Sequence, residues 1–226
     1  QLETPKVAIK YAIESLKTPE GSLISDIRGN YLLRKTIAQK CLYNNNLKIN
    51  AEENIIVTVG AKEGILSTLF ALLDHNDEAI VEDPGYLSFE PQIKLVGAKP
   101  ILLPLDKQDG FKFSIEHLIN KITSKTKLLI LCNPHNPTGR CFSRDELIKI
   151  GKICIDNNIY LLIDEAYEHF VYDGLKHHSM ASLPKMFERT ITIQTVSKIF
   201  NMSGWRIGWV IGPAEIINKI LIAHSH

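Results

Sequence analysis

The 226-residue sequence has no apolar run of the roughly 18 residues that a membrane-crossing helix needs, and its N-terminus lacks the charged-then-apolar pattern of a leader. No membrane partner is expected. Its four cysteines, Cys41, Cys132, Cys141 and Cys154, are irregularly spaced and form no C-x-x-C pair, which argues against a zinc cage and a disulfide framework. Reduced thiols in a cytoplasmic protein are the expectation. His177, His178, His224 and His226 lack ligand partners at metal spacing, so they read as solvated side chains and no metal site is expected. Neither sign of charge dominates: 26 basic and 25 acidic residues are mixed along the chain and leave a net charge of +1, without the basic footprint of a nucleic-acid binder. Internal repeats and low-complexity stretches are absent. What is present, 45% apolar and 8% aromatic residues, is enough for one sizeable core or two small ones. The chain begins without Met and stops at His226 just after an apolar helical run, as if cut from something longer.

From Asn54 onward, short aliphatic runs alternate with helix-like stretches. Strands are predicted at Ile55–Val59, Ala79–Glu82, Pro100–Leu103, Lys127–Cys132, Tyr160–Ile163, Thr190–Thr195 and Ile207–Ile211. Helices are predicted at Ala61–Leu73 and near 86–96, 114–121, 143–157 and 213–223. Runs that are apolar throughout, such as Leu128-Leu129-Ile130-Leu131, suit a largely parallel sheet covered on both faces. The first part of the chain differs, with a helix at Lys6–Leu16, an irregular stretch from Thr18 to Asn30 and a helix from about Tyr31 to Tyr43.

Several chemistry-bearing segments follow these strands, and in an open α/β sheet that is the edge where ligands bind. Gly60-Ala61-Lys62-Glu63-Gly64 lies between a strand and a helix, so the amides of Gly60, Ala61 and Lys62 can cradle a phosphate at the helix's positive end. The spacing is not that of a Walker A loop. Asn133-Pro134-His135-Asn136-Pro137-Thr138-Gly139 is a turn whose prolines can hold an Asn side chain still, and Asp164-Glu165-Ala166-Tyr167 follows a buried strand. In Ser197-Lys198-Ile199-Phe200-Asn201-Met202-Ser203-Gly204-Trp205-Arg206-Ile207-Gly208, a lysine just beyond an apolar strand can sit in a partly desolvated pocket, where a neutral amine attacks an aldehyde.

The last segment meets all six fixed positions of S-K-x-F-x-x-x-G-x-R-x-G, and in this the sequence resembles the class I/II aminotransferases among the fold-type-I pyridoxal-phosphate enzymes. The resemblance runs from about Leu23 to Ile220, with the other segments in the family order. It implies a three-layer α/β/α fold with a mostly parallel seven-stranded sheet. Residues 46–226 would form the cofactor-binding large domain behind an N-terminal segment, 1–45, with the C-terminal small domain absent. Lys198 would hold pyridoxal 5′-phosphate covalently and act as general base. Asp164 would pair with the protonated ring nitrogen, Tyr167 and Asn136 would bond the ring oxygen, and Tyr86 of Asp83-Pro84-Gly85-Tyr86 would stack on the ring. Thr195, Arg206 and the Gly60–Lys62 amides would take the phosphate. The implied reaction moves an amino group from an L-amino acid to a 2-oxo acid in a homodimer. The run Leu183–Trp209 looks most like enzymes acting on aromatic, sulfur-containing or kynurenine-type amino acids. A carbon–sulfur or other lyase, a cyclopropane-forming synthase, and a non-catalytic sensor domain or pseudoenzyme would share the same residues.

The sequence departs from the family pattern at one position. Ile24 stands where the pattern Y-x-x-x-x-G-x-x-x-L-R has a tyrosine, in Ile24-Ser25-Asp26-Ile27-Arg28-Gly29-Asn30-Tyr31-Leu32-Leu33-Arg34. Loss of one hydrogen bond to a charged acceptor would weaken cofactor binding by about 1–2 kcal/mol. The family's substrate-carboxylate arginine belongs to the C-terminal small domain, beyond His226, so the chain as it stands is expected to bind cofactor better than it transaminates.

Overall fold

The computed structural model describes residues 3–23 and 25–226, so the Ile24 substitution lies outside the described residues. In chain order the elements are α1 (Lys6–Ser15), α2 (Tyr31–Asn45), β1 (Ile55–Thr58), α3 (Ala61–Leu72), β2 (Glu78–Asp83), α4 (Phe89–Leu95), β3 (Lys99–Pro104), α5 (Ile115–Lys121), β4 (Thr126–Cys132), α6 (Arg144–Asp156), β5 (Tyr160–Asp164), β6 (Thr190–Thr195), β7 (Gly208–Ile211) and α7 (Ala214–His224).

The seven strands form one sheet in the order β1-β7-β6-β5-β4-β2-β3. Six run parallel; β7 runs antiparallel to both of its neighbours, β1 and β6. Alternation along the buried strands sends side chains to opposite faces, which is why their sequences are apolar throughout. On one face Leu128, Ile130 and Leu162 pack with Ile65 and Leu69 of α3 and Ile216, Ile217 and Ile220 of α7. On the other, Leu129, Leu131, Leu161 and Ile163 meet Leu147 and Ile150 of α6, together with Met180 and Met186. The expected three layers and mostly parallel sheet are therefore present.

A third cluster seats α2 through Ile37 and Cys41 against Ile55 of β1 and Trp209 and Ile211 of β7. The Gly29–Arg34 stretch serves that seat. Arg34, 3% exposed, donates to the carbonyls of Gly29 (3.1 Å) and Ala51 (2.9 Å) and to Asp26 Oδ2 (2.8 Å), tying the turn before α2 to the turn before β1. No residue of α1 is buried.

Most boundaries shift by a residue or two, and at two of them the local cause is plain. The helix expected from residue 86 begins at Phe89, because Asp83-Pro84-Gly85 breaks the backbone and the Tyr86 carbonyl first closes a turn onto the Phe89 amide at 3.0 Å. The last strand begins at Gly208, because Arg206 takes a left-handed conformation (φ 55°) that no strand accommodates. α6 starts where a capping box predicts: the Ser143 hydroxyl accepts from the Glu146 amide while the Glu146 carboxylate accepts from the Ser143 amide. Ser143→Ala should lower the unfolding free energy by about 1 kcal/mol, read from denaturant midpoints at unchanged slope.

Candidate active site

The carboxyl ends of β4, β5 and β6, together with the N-terminus of α3, frame one open cavity of about 310 Å³. Ala61, Lys62, Tyr86, Asn136, Asp164, Tyr167, Thr195, Lys198 and Arg206 all line it, from segments spread over 146 positions (206 − 61 + 1) of the chain. Gly60 stands directly behind the wall: a Cβ there would lie 2.4 Å from Arg206 Nη2.

Asp164 forms the floor. As the last residue of β5 it is 5% exposed, and burial pushes its carboxyl up to about 6. The Ala166 amide, donating to Oδ1 at 2.9 Å, and the Lys198 ammonium oppose that shift, while the neighbouring Glu165 carboxylate adds to it. Asp164 thus carries a costly buried charge that a further cation or N–H donor in the cavity would stabilise.

The rim is cationic. Lys62, Lys198 and Arg206 are all exposed. Lys198 Nζ lies 5.6 Å from the centroid of the Tyr167 ring. The partly desolvated pocket expected around Lys198 is therefore not built by the residues of this chain, since β6 ends at Thr195 and the segment that follows turns out toward solvent. The left-handed Arg206 folds its guanidinium back: Nη1 donates to the Ser203 carbonyl (2.9 Å) and Nη2 to the Val59 carbonyl (3.4 Å), which lays the cation across Gly60. Gly60 itself has φ 77° and caps α3 without a side chain, so the first-turn amides open toward the same point.

Thr195 lines the cavity with its hydroxyl already bonded within the chain. Its hydroxyl donates to the Ile207 carbonyl at 2.8 Å and accepts from the Ser197 amide at 3.1 Å, so its hydrogen is committed within the chain. The Ser197 hydroxyl, 2.8 Å from it and also on the cavity wall, can turn its hydrogen to a ligand instead. Sequence reading passed over Ser197 as a fixed letter of the lysine motif.

Glu165 was passed over too. Strand alternation turns it away from the cavity into a network beneath the floor. Gln194 Nε2 donates to Glu165 Oε2 (2.9 Å), and Gln194 Oε1 accepts from Trp209 Nε1 (3.0 Å) and Lys40 Nζ (3.0 Å). Lys40 also pairs with Glu168, which joins α2 to the underside of the site. His177 does not face solvent as expected; its side chain is 9% exposed, 3.8 Å from Glu165 Oε1. His224 likewise pairs with Glu63 at 3.1 Å. Glu165, Glu168 and His177 bring ligand-type atoms within 4.8 Å of one another, but the Lys40 ammonium already serves as cation to Glu168.

Fold and cavity together define an α/β protein with a ligand site on the carboxyl rim of its sheet. Over residues 1–226 the sequence matches the family model for aminotransferase class I and II, and the chain belongs to that family, whose members use pyridoxal phosphate. It is 37% identical over 219 residues to an aspartate aminotransferase of Pyrococcus abyssi, covering 97% of this chain and 56% of that protein. Over 194 residues it is 40% identical to kynurenine–oxoglutarate transaminase 3 of Rattus norvegicus, covering 81% of this chain and 43% of the relative. The crystal structure of an aromatic aminotransferase from Pyrococcus horikoshii OT3 superposes with a TM-score of 0.96 at 34% identity, covering 100% of this chain and 60% of that one. The chain thus spans about half the length of the curated relatives it matches. Among the described residues no helix is long and apolar enough to cross a membrane.

Proposed function

We propose that this chain is the pyridoxal-phosphate-binding portion of an aminotransferase that moves the amino group of an amino acid to a 2-oxo acid, with Lys198 as the residue that holds the cofactor. The observation that carries the reading is the convergence, on one cavity, of a buried carboxyl, an exposed amine and an anion-binding helix start crossed by a guanidinium.

The donor set fits the group. Gly60 and Gly208 leave space that a Cβ would fill, so Arg206 can close over the amides of Ala61 and Lys62; those groups with the Ser197 hydroxyl, and with the Thr195 hydroxyl once it exchanges the Ile207 carbonyl for a phosphate oxygen, would hold the phosphate. Tyr86 would pack on the ring, and Asn136 and Tyr167 would bond its oxygen. Bound there, pyridoxal phosphate supplies an electron sink for negative charge at the substrate Cα. Asp164 would hold the proton on the ring nitrogen, and Lys198 Nζ would take the proton from the substrate Cα.

Residues 46–226 as the large domain, a homodimer and a cytoplasmic setting belong to the same proposal. Exposed apolar side chains on and just after α1 and around the start of α2, among them Tyr11, Leu16, Leu23 and Leu32, support a second copy against this face, and the four free cysteines support a reducing compartment.

The test is a visible spectrum of the chain with pyridoxal phosphate, followed by borohydride reduction and mass spectrometry of the peptides. A band together with a reduced adduct confined to Lys198 is expected; adducts scattered over surface lysines would sink the reading. Affinity should also follow Asp164. Its folded value is raised from 3.8 to about 6, so above pH 6 it is ionised and pairs with the ring N–H, and below pH 6 it keeps its own proton and the pair is lost. Spectral titration at pH 5 should therefore give binding about tenfold weaker than at pH 7. In the cofactor-free chain the same group works in the opposite sense, its contribution to stability declining as pH rises from 3.8 to about 6.

A further inference from the structure

We propose that Glu82 and His135 form a buried carboxyl–imidazole latch that positions the two loops carrying Tyr86 and Asn136. As a statement about those loops it rests on the cofactor reading above; as a statement about one hydrogen bond it does not.

Glu82 is the penultimate residue of β2, 3% exposed, and His135 lies just beyond the neighbouring β4, 4% exposed. The first stands four residues before Tyr86 and the second is next to Asn136. Glu82 Oε2 accepts the Cys132 amide at 2.9 Å, and His135 Nδ1 lies 2.8 Å from Thr138 Oγ1, which also accepts the Arg140 amide at 3.3 Å. That leaves two buried atoms without a partner, Glu82 Oε1 and His135 Nε2. They belong to groups facing one another, with Nε2 3.6 Å from Glu82 Oε2. A buried polar atom left alone is costly, and one proton held between Glu82 Oε2 and His135 satisfies the imidazole nitrogen.

The surroundings decide where that proton rests. Burial pushes the Glu82 carboxyl up to about 8, against the pull of the Cys132 amide and the Arg140 cation. Burial, helped by the same Arg140 and opposed by a hydrogen bond with the Pro84 backbone, pushes His135 down to about 4. The other titratable neighbours are Cys132, whose thiol burial holds well above its ordinary range, and Asp164 beyond it. Near neutral pH the pair is therefore a carboxylic acid donating to Nε2 and a neutral imidazole whose Nδ1–H donates to Thr138. Glu82 keeps its proton more tightly folded than unfolded, so its contribution is lost as pH rises through about 8, and the latch stands from there down to about pH 4, where His135 takes a proton of its own.

Two measurements on the whole chain test this. The first is ¹⁵N-histidine NMR without cofactor. His135 should appear as the neutral Nδ1–H tautomer from pH 7 down to about pH 5, and an imidazolium or an Nε2–H tautomer at pH 7 would overturn the latch. The second is pyridoxal-phosphate titration of wild type, Glu82→Gln and Glu82→Met. Glutamine keeps a donor for Nε2, so it should bind within about threefold of wild type at pH 7 and lose the part of the alkaline weakening centred near pH 8. Methionine removes the donor and should bind about tenfold more weakly, with Lys198 still the modified residue. Equal affinities in all three, or an unchanged alkaline limb in the glutamine variant, would overturn the proposal; should the methionine variant fail to fold, the glutamine pH profile decides alone. A chain with the expected histidine signature but no cofactor binding would sink the cofactor reading and leave the hydrogen bond standing.

Discussion

Lys198→Ala will abolish the visible band that pyridoxal phosphate gives with this chain, and will remove the borohydride-stable adduct from its peptide. Alanine leaves the floor and the anion cradle intact: Asp164 is held by the Ala166 amide, and Arg206 by the carbonyls of Ser203 and Val59. The cofactor should therefore still dock through its phosphate, on the order of a hundredfold more weakly, which corresponds to about 2.7 kcal/mol. Lys62 also lines the cavity. Transfer of the adduct to Lys62 in the variant would show that the amine is chosen by proximity alone, and the special place given to Lys198 would be lost. Circular dichroism should show little change in melting, because the Lys198 side chain is exposed and its attraction to Asp164 and the Tyr167 ring is screened by solvent.

Gly208→Ala should destabilise the fold by about 3 kcal/mol, at the upper end for overpacking, and should weaken phosphate binding with it. Gly208 pairs with Thr195 on one side and Thr58 on the other, so it is the point where the lysine strand and the strand leading into α3 meet. A Cβ there would fall 2.7 Å from the Gly60 carbonyl carbon, 2.8 Å from the Ala61 nitrogen and 3.0 Å from the Gln194 carbonyl oxygen. All three are backbone atoms of packed elements, and none can swing aside as a side-chain tip would. Relief has to come from displacing the start of α3, whose amides form the anion cradle. Denaturant unfolding gives the stability loss and competition with inorganic phosphate the binding loss. A variant with wild-type stability would mean that β1 and β7 yield more freely than their register implies.

Much of this was legible in the sequence, because the information is local there. Strands buried on both faces announce themselves as aliphatic runs, and the segments after them can be read for chemistry without knowing the fold. The reversal of β7 is different: Gly208–Ile211 reads the same in either direction, and the 12 residues between Thr195 and Gly208 (207 − 196 + 1) are about the length at which a parallel crossover first becomes possible, so spacing does not decide it. Glu165 was opaque for another reason. Its distant partners are Gln194 on β6 and Lys40 on α2, the latter 125 positions away (165 − 40), so its own stretch of sequence does not mark it as buried. His177 misled in the same way, since a His-His pair in a polar stretch reads as surface until Glu165 is found behind it. The exposure of Lys198 escaped because the motif fixes which residue stands there and says nothing about what covers it.

The reversed strand also carries a consequence for assembly during synthesis. The connection from β6 to β7 never leaves the rim of the sheet, so Ser197, Lys198 and Arg206 come together through contacts near in sequence, which form quickly. The other half of the anion cradle rides on β1, an edge strand whose sole strand partner is β7. Until residues 208–211 have left the ribosome, the strand at 55–58 has nothing to pair with, and the helix start behind it has no fixed place. The anion cradle therefore cannot close before residues 208–211 emerge, and a ligand that bound it would act as a clasp between the strand at 55–58 and the strands at 190–195 and 208–211.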